Sequence, residues 1–346
     1  MTGALDPGAL DPGALDPGAL GTLASWLRKR ELLGSGSPSA RLAGDGHSNL
    51  TYLVSDGART VVVRRPPPPP TPPGANDVLR EAATLRALEG SGVPVPRVLG
   101  QAEAGEVFDV PFFVMSYQAG PIVTGRAPSE VDGRRLGASM TTTLARLHAV
   151  DWASAGLRGR PEGSNRRHHD RLARLVATDD GAPPEAFAGI DAWLVAHVPA
   201  ESGSALVHND FRLGNLVLDP SDASRVSAVL DWELAAVGDP LVDLGYLVAA
   251  WAEPGREPAT AIERLGAASA APGFPHREEL VAGYAAASGR DVNGLPWYVV
   301  LALWKLAVLW EYNRRRVEAG HGDPYYADPA QVGEFLCEAE AWIARS

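Results

Sequence analysis

The chain has very little cysteine and no long apolar run. A single cysteine, Cys337, among 346 residues excludes an internal disulfide and is typical of a cytoplasmic protein. The longest apolar stretch, residues 297–310, contains Lys305 and is shorter than the roughly 20 residues that span a bilayer. The N-terminus has no basic segment followed by an apolar core, so the sequence predicts no signal peptide. We therefore expect a cytoplasmic protein without a membrane partner.

Positive charge is also scarce, and it comes almost entirely from arginine. The formal net charge of −11 argues against a general nucleic-acid partner. Lysine occurs only at Lys29 and Lys305, so a phosphate group bound elsewhere must be contacted by arginine, histidine or backbone N–H groups. A hydrophobic content of 45% with 21% charged residues describes a soluble globular protein. The sequence does not indicate an oligomeric state.

The pattern along the chain divides it into three parts. Residues 3–20 repeat Gly-Ala-Leu-Asp-Pro, whose five-residue period suits neither helix nor strand, so we expect a disordered tail over residues 1–21. Residues 22–117 carry strand patterns and one helix at 77–89, whereas residues 118–346 are mostly helical. We predict an α+β fold with two lobes, a small β-rich N-terminal lobe and a larger helical C-terminal lobe.

Individual elements follow from turn signals and apolar spacing. Asp56-Gly57 is a hairpin turn signal between two predicted strands. The predicted strands are 50–54, 60–64, 111–117 and a hairpin of 215–219 with 226–231, and the predicted C-terminal helices include 136–150 and 296–319.

One motif carries the chemistry. Residues 207–215 read Val-His-Asn-Asp-Phe-Arg-Leu-Gly-Asn, and Asp231 follows sixteen residues after Asn215. The predicted hairpin places Asp210 and Asn215 at either end of a loop and Asp231 at the next strand end, so their oxygen atoms can converge. Phosphoryl transfer needs a carboxylate at the attacking hydroxyl and hard oxygen ligands for Mg²⁺. We predict the first role for Asp210 and the second for Asn215 and Asp231.

Each of these three residues also has a structural explanation when taken alone. Asp210 can cap a turn, Asn215 can occupy a left-handed backbone position, and Asp231 can be an ordinary carboxylate at a strand end. The combination is more specific, because His208 precedes Asp210 by two residues and gives the spacing His-x-Asp-x-x-x-x-Asn. We therefore favour the catalytic interpretation.

These motifs closely resemble the aminoglycoside phosphotransferase family, which has a protein-kinase-like fold. The resemblance rests on residues 208–215, on Leu-Asp-Trp-Glu at 230–233 and on Gly-Asp-Pro at 238–240 with Asp243. Residues in the N-terminal lobe are similar to the subgroup related to the phosphotransferase domain fused to acyl-CoA dehydrogenases; these lie at 46–52, 63–67, 80–81, 93–97 and 113–115. The resemblance covers roughly residues 40–320.

The resemblance implies ATP as phosphoryl donor and assigns a role to each motif. Asp210 would be the catalytic base, with Asn215 and Asp231 as Mg²⁺ ligands. The loop 44–48 would cover the ATP phosphates, with Ser48 as a hydrogen-bond donor. The remaining implied roles are a hinge from Met115 to Tyr117 whose backbone reads adenine, a bracing role for His208, and backbone anchoring by Asp243, for which an exposed helix carboxylate is the alternative.

Two positions depart from the family pattern. Kinase-like enzymes usually carry lysine where this chain has Arg64; here Arg64 would contact the α- and β-phosphates and pair with Glu81. Arginine is permanently charged and binds phosphate oxygens in a fork, so the role is chemically retained. Glu81 itself lies on the buried stripe of its helix and needs a partner, while strand alternation directs Arg65 to the opposite face. At Asn209 the family usually has glycine, and asparagine is the next most tolerant residue if that position has a positive φ.

The acceptor is less well defined by the sequence. A polycationic aminoglycoside needs an acidic pocket, whereas residues 158–171 and 314–316 are basic, although solvated helix faces explain these charges equally well. Arg212, inside the catalytic motif, is the best single candidate to contact an anionic substrate. We expect an ATP- and Mg²⁺-dependent O-phosphotransferase acting on a hydroxyl of a small molecule, anionic or hydroxyacyl-type rather than aminoglycoside. The alternatives are a weakly active or inactive kinase-like nucleotide- or ligand-binding module, and an aminoglycoside or macrolide kinase.

Overall fold

The computed structural model describes residues 15–44, 49–67 and 76–345. The α-helices in these residues are α1 (Pro17–Arg28), α2 (Val78–Leu88), α3 (Gly133–His148), α4 (Ser164–Val176), α5 (Glu185–Ala196), α6 (Leu241–Ala249), α7 (Ala261–Leu265), α8 (Arg277–Ser288), α9 (Leu295–Glu318) and α10 (Ala330–Ile343). The strands are β1 (Ser39–Ala43), β2 (Leu50–Ser55), β3 (Thr60–Arg65), β4 (Val98–Ala102), β5 (Phe112–Ser116), β6 (Ala205–Val207), β7 (Leu216–Asp219), β8 (Asp222–Val229) and β9 (Ala236–Gly238).

The chain divides into two compact units. The N-terminal unit comprises the described residues up to Arg86 together with Pro96–Tyr117, and the C-terminal unit comprises Ala87–Val95 with the chain from Gln118 onward. The first unit contains a five-stranded antiparallel sheet and the second is mainly helical. The predicted α+β fold class is confirmed. No helix in the described part of the chain combines the length and apolar composition that crossing a membrane requires.

The sheet of the N-terminal unit has the strand order β1-β2-β3-β5-β4. Alternate residues of its central strands face a hydrophobic cluster that includes Tyr52, Val63 and Phe112 and is shared with α1. Because side chains alternate along a strand, Arg64 lies on the face opposite Val63. Arg65 lies on the same face as Val63, where its guanidinium donates to Tyr52 Oη at 3.0 Å, as the predicted alternation requires.

Helix α1 corrects the predicted extent of the tail. The tail was expected to be disordered over residues 1–21, but the helix begins at Pro17. The last Asp-Pro-Gly of the repeat provides its start, since Asp16 Oδ1 accepts hydrogen bonds from Gly18 N and Ala19 N, both at 2.9 Å. Proline at the first helical position needs no N–H partner. In the sequence this Asp-Pro is a turn signal, and it does not by itself indicate the start of a helix. Residues 1–14 lie outside the described part of the chain.

Two short strand pairs organise the C-terminal unit. Strands β6 and β9 pair with Val207 opposite Ala236, and β7 and β8 pair with Leu216 opposite Val229. The segment 208–215 therefore connects the two pairs in one direction, and the segment 230–235 connects them in the other. This arrangement brings the two predicted motif segments side by side. Helices α6 and α9 pack against each other in the same unit.

Candidate active site

Asp210 and Asn215 are in direct contact. Asn215 Nδ2 donates to Asp210 Oδ2 at 2.7 Å and to the Asp210 carbonyl at 2.8 Å. Arg212 Nε donates to the other carboxylate oxygen, Asp210 Oδ1, at 3.3 Å. The carboxylate is therefore oriented from both sides, while 18% of the Asp210 side-chain surface stays accessible.

The segment that carries Asp231 is tied to the same loop. Leu230 N donates to the Asn215 carbonyl at 2.8 Å, and Asp231 follows with a left-handed φ of 67°. Burial alone would lower the pKa of Arg212, but the carboxylate of Asp210, with a smaller contribution from Asp231, raises it overall. The guanidinium is thus held in a field set by both carboxylates. Contact between Arg212 and a substrate stays a prediction.

The donor atoms here suit Mg²⁺. Asn215 uses its amide nitrogen toward Asp210, and no residue in the described ranges donates a hydrogen bond to its Oδ1. Together with the Asp231 carboxylate this gives hard oxygen ligands on two backbone-linked segments. No group of three or more histidine, cysteine, aspartate or glutamate side chains suited to a metal occurs among the described residues. A Mg²⁺ ion here would therefore take its other ligands from phosphate and water.

His208 braces the loop. It is fully buried; its Nε2 lies 2.8 Å from the Leu230 carbonyl and its Nδ1 accepts from Asp210 N at 3.2 Å. The proton must lie on Nε2, because a carbonyl can only accept and the Asp210 amide can only donate. Since both ring nitrogens are engaged, His208 links the two motif segments and is not available to accept a proton from a substrate.

Asp243 anchors the backbone of the same loop. Its carboxylate is fully buried and accepts from His208 N at 2.7 Å and from Asn209 N at 2.6 Å, with His148 Nε2 at 3.1 Å. Burial alone would raise the pKa of Asp243, but the hydrogen bond and charge of His148 and the contacts with His208 lower it overall. The anchoring role is confirmed, and the alternative of an exposed helix carboxylate is wrong.

Asn209 has the unusual backbone angle that its position in the motif suggested. Its φ is 67°, a left-handed conformation that asparagine tolerates better than most residues. Its side-chain Nδ2 donates to the Leu234 carbonyl at 2.9 Å. This adds a link between the two motif segments that a glycine could not make.

Lys305 contributes to the site although the motif analysis did not include it. It is 5% exposed, its Nζ donates to the Asn209 carbonyl at 2.5 Å, and it lies 4.4 Å from the centroid of the Tyr246 ring. Burial lowers its pKa to about 8, although the carboxylates of Asp210 and Asp243 oppose the shift. The only signal in the sequence was a single charge within the apolar run 297–310.

Tyr246 is the second residue that sequence reasoning missed. It is 3% exposed, and its hydroxyl lies within reach of the charges of Asp210 and Arg212. Burial, followed by the charge of Asp210, raises the pKa of Tyr246 well above its usual value. Its spacing of three residues from Asp243 puts both on one face of α6, but this spacing alone does not indicate a catalytic neighbour.

The predicted ion pair of the N-terminal unit is present. Arg64 Nε lies 2.9 Å from Glu81 Oε2, and the two side chains are 9% and 1% exposed. Met115 is buried and Tyr117 is 45% exposed at the end of β5. Their roles toward a nucleotide stay predictions, as does the phosphate contact of Arg64. Ser48 lies outside the described residues.

Comparison with known proteins agrees with this geometry. The model of the Phosphotransferase enzyme family matches residues 39–298. Acyl-CoA dehydrogenase family member 11 of Gallus gallus is 32% identical over 286 residues, which are 79% of this chain and 36% of the relative. The curated relatives are much longer than this chain, which covers between 20% and 39% of their length. These matches confirm the resemblance to the phosphotransferase domain fused to acyl-CoA dehydrogenases.

Solved structures share the fold. A crystal structure from Ralstonia eutropha JMP134, provisionally described as an aminoglycoside phosphotransferase, is 26% identical with a TM-score of 0.72 and covers 93% of this chain and 98% of that chain. The GDP complex of aminoglycoside 2'-phosphotransferase-IIIa is 16% identical with a TM-score of 0.59, and the match covers 93% of this chain and 98% of that chain. The predicted protein-kinase-like fold is confirmed.

Proposed function

Since the chain belongs to the phosphotransferase enzyme family, we propose that it transfers the γ-phosphoryl group of ATP to a hydroxyl group of a small molecule. The carrying observation is the Asp210 carboxylate, which Asn215 and Arg212 hold from both sides and which remains accessible. A carboxylate fixed in this way can accept a proton without first losing rotational freedom.

In the proposed reaction the acceptor oxygen forms a bond to the γ-phosphorus, and the bond from that phosphorus to the β–γ bridging oxygen breaks. The hydroxyl proton moves to Asp210, and ADP leaves with the bridging oxygen. Asn215 Oδ1 and Asp231 would hold Mg²⁺, which supplies charge neutralisation at the phosphate oxygens. Because the transition state is loose, the orientation of the hydroxyl by Asp210 is its larger contribution.

The nucleotide contacts are proposed for the N-terminal unit. Arg64, positioned by Glu81, would contact the α- and β-phosphates, and Ser48 would donate to the phosphates. The backbone from Met115 to Tyr117 would read adenine. A relative with the same fold binds GDP, which supports a nucleoside triphosphate as donor and leaves ATP as the proposal.

For the acceptor we propose an anionic or hydroxyacyl-type molecule rather than an aminoglycoside. Arginine side chains on α4 lie in the same unit as Asp210, and a polycation would be repelled by them. An inactive kinase-like module is the alternative, to which the departures at Arg64 and Asn209 could point. Arg64 forms an ion pair with Glu81 and Asn209 has a left-handed φ, and measured phosphoryl transfer would exclude that alternative.

The test is ADP release over a panel of aminoglycosides, macrolides, hydroxy acids and hydroxyacyl-CoAs. With an accepted substrate, Asp210→Asn should lower kcat by a factor of roughly 100 to 10,000 while ATP–Mg²⁺ still raises the thermal transition. The exposed Asp179 provides the matched control as Asp179→Asn, which should leave kcat unchanged. If Asp210→Asn kept the activity of that control, the proposed mechanism would be refuted.

A further inference from the structure

A cavity of about 380 Å³ lies beside the catalytic loop in the C-terminal unit. One wall is the polar side of α4, another is strand β9, and the cavity reaches the catalytic loop at Asn209. Its volume falls in the range of pockets that hold small ligands. None of the residues given a catalytic, Mg²⁺ or nucleotide role above lines this cavity.

The cavity is basic although the protein is acidic. Four arginines line it, namely Arg160, Arg167, Arg171 and Arg174, against two aspartates, which leaves a net charge of +2 in a chain of −11. Both aspartates already have partners. Asp170 accepts from Arg166 Nε at 2.9 Å and contacts His169, and Asp239 accepts from Ser202, Tyr298, Asn165 and Leu241 N.

Three of the four arginines, Arg160, Arg167 and Arg174, have no carboxylate partner among the residues that the structure describes. Arg160 and Arg174 are exposed and make no ion pair with any residue that the structure describes. Arg167 donates to the backbone carbonyls of Arg160 and Glu162, which are uncharged acceptors. Cations without carboxylate partners around a concave surface favour an anionic ligand.

Unpaired polar atoms occur on residues that line the same cavity. Asn165 Oδ1 and Asn209 Oδ1 are buried without a hydrogen-bond donor, and His168 Nε2 is buried without a partner; the two asparagines are 1% and 3% exposed. Burial, then the charges of Lys305 and Arg171, lowers the pKa of His168 to about 3, so this ring is neutral. Buried acceptors without donors are unusual and costly in a folded protein.

The arginine charges and the unpaired asparagine oxygens together define the kind of ligand that fits this cavity. We propose that this α4 cavity binds a small molecule that carries both an anionic group for the arginines and hydroxyl or amine donors for the two asparagine oxygens. Resting on the proposed function, this molecule is the phosphoryl acceptor, and the cavity holds the part of it that is remote from the reacting hydroxyl. The shared residue is Asn209, which lines the cavity and precedes Asp210.

The test uses the complete chain and sn-glycerol 3-phosphate, which carries an anionic group and hydroxyl donors. Binding is measured by calorimetry with a non-hydrolysable ATP analogue and Mg²⁺ present at saturation, so that the nucleotide site is filled. Glycerol and inorganic phosphate separate the contribution of the donors from that of the charge. The variant is Arg160→Ala with Arg174→Ala; its control is Arg146→Ala with Arg158→Ala, which removes two exposed arginines that do not line the cavity.

We expect glycerol 3-phosphate to bind more tightly than inorganic phosphate, and glycerol not to bind. The cavity variant should raise the Kd for glycerol 3-phosphate about tenfold or more, since each charge-assisted hydrogen bond contributes substantially to affinity, and the control should not. Equal Kd values in both variants would overturn the proposal. So would no binding of either anion at millimolar concentration while the ATP analogue fills the nucleotide site. Inorganic phosphate binding as tightly as glycerol 3-phosphate would overturn the role of the asparagines.

This readout is independent of catalysis. Loss of glycerol 3-phosphate binding in the cavity variant stands even if no acceptor in the ADP-release panel is phosphorylated. Conversely, retained binding in that variant removes the cavity from the acceptor site but leaves the Asp210 experiment unaffected. The two proposals therefore fail separately.

Discussion

The substitution Asp243→Asn should strongly destabilise the catalytic loop, although the aspartate and asparagine side chains have nearly the same size and shape. The carboxylate is fully buried and accepts from two consecutive backbone amides, His208 N at 2.7 Å and Asn209 N at 2.6 Å. It also lies 3.1 Å from His148 Nε2. An amide of the same shape has only one oxygen, so its NH₂ group must face one of these donors.

The magnitude follows from counting these contacts. One buried N–H loses its acceptor, which lowers the free energy of unfolding by about 1–3 kcal/mol. The remaining hydrogen bonds are then made to a neutral amide instead of a charged carboxylate, and each of them stabilises the fold by about 1 kcal/mol less. We therefore expect Asp243→Asn to lower the free energy of unfolding by about 3–5 kcal/mol, a large part of the roughly 5–15 kcal/mol that stabilises a typical protein.

The assay is urea unfolding, in which the midpoint should fall while the m value stays constant. Hydrogen exchange of the amides at His208 and Asn209 should accelerate, which locates the damage in the loop. Asp179→Asn, at an exposed position, is the control and should change stability by less than about 0.5 kcal/mol. An unchanged midpoint with protected loop amides in Asp243→Asn would refute the anchoring argument.

The same carboxylate predicts a dependence on pH. Because its folded pKa lies below the unfolded value of 3.8, the unfolded chain binds the proton more readily. The stabilisation by Asp243 is therefore complete above about pH 4 and is lost as the pH falls through the folded pKa. The difference in unfolding free energy between the wild type and Asp243→Asn should shrink in this acidic range.

Three further predictions test the remaining contacts. Glu81→Gln removes the carboxylate that pairs with the buried Arg64 and should lower the free energy of unfolding, measured in urea, by about 3–5 kcal/mol. The control Glu89→Gln, at an exposed position, should have no effect. The pKa of Lys305 falls from 10.5 to about 8 on folding, so between pH 8 and pH 10.5 the unfolded chain binds this proton more readily than the folded one. The free energy of unfolding of the wild type should therefore rise over this range by roughly 3 kcal/mol at most, and Lys305→Met should show no such rise. Asn209→Ala should lower the free energy of unfolding by about 2 kcal/mol, from backbone strain at positive φ and from one lost hydrogen bond. Asn209→Gly loses only the hydrogen bond, so its effect should be about half as large. Equal stability of the two variants would contradict the argument from backbone strain.

Much of the fold follows from local patterns. The helix expected at 296–319 is α9, Leu295–Glu318, and the hairpin expected from 215–219 and 226–231 is the β7–β8 pair. Both rest on strong signals, since a proline starts the helix and a Pro-Ser-Asp turn separates two apolar strands. The strands β4, β6 and β9 were not predicted, and β1 falls in a predicted β region without having been assigned as a strand. In β1 only Ala40 and Leu42 pack against the core, and both are just partly buried. Strand β4 contains a glycine at a register shift, so the apolar pattern is weak in both strands.

The residues of the candidate site likewise fall into those that local sequence spacing predicts and those that only the packing of helices brings to the site. Asp210, Asn215 and Asp231 lie within one short stretch of sequence, where spacing is informative. Lys305 and Tyr246 come from helices that meet this stretch only in the folded chain. Lys305 donates to the Asn209 carbonyl, and the charge of Asp210 helps to raise the pKa of Tyr246. A buried lysine in an apolar helix and a tyrosine in a buried helix both read as core residues until that packing is known.

Asn209 shows how the two kinds of information combine. It departs from the glycine that the family usually has, yet its backbone is fixed by more than its own conformational preference. The Asp243 carboxylate on α6 accepts a hydrogen bond from the Asn209 N–H, and the Lys305 ammonium on α9 donates one to the Asn209 carbonyl. Two side chains of opposite charge, from two helices, therefore fix the backbone of this residue. Its side chain then adds a link to Leu234. With the backbone fixed at both ends, the direction of Asp210 does not depend on glycine at 209, and any residue that tolerates positive φ can occupy it.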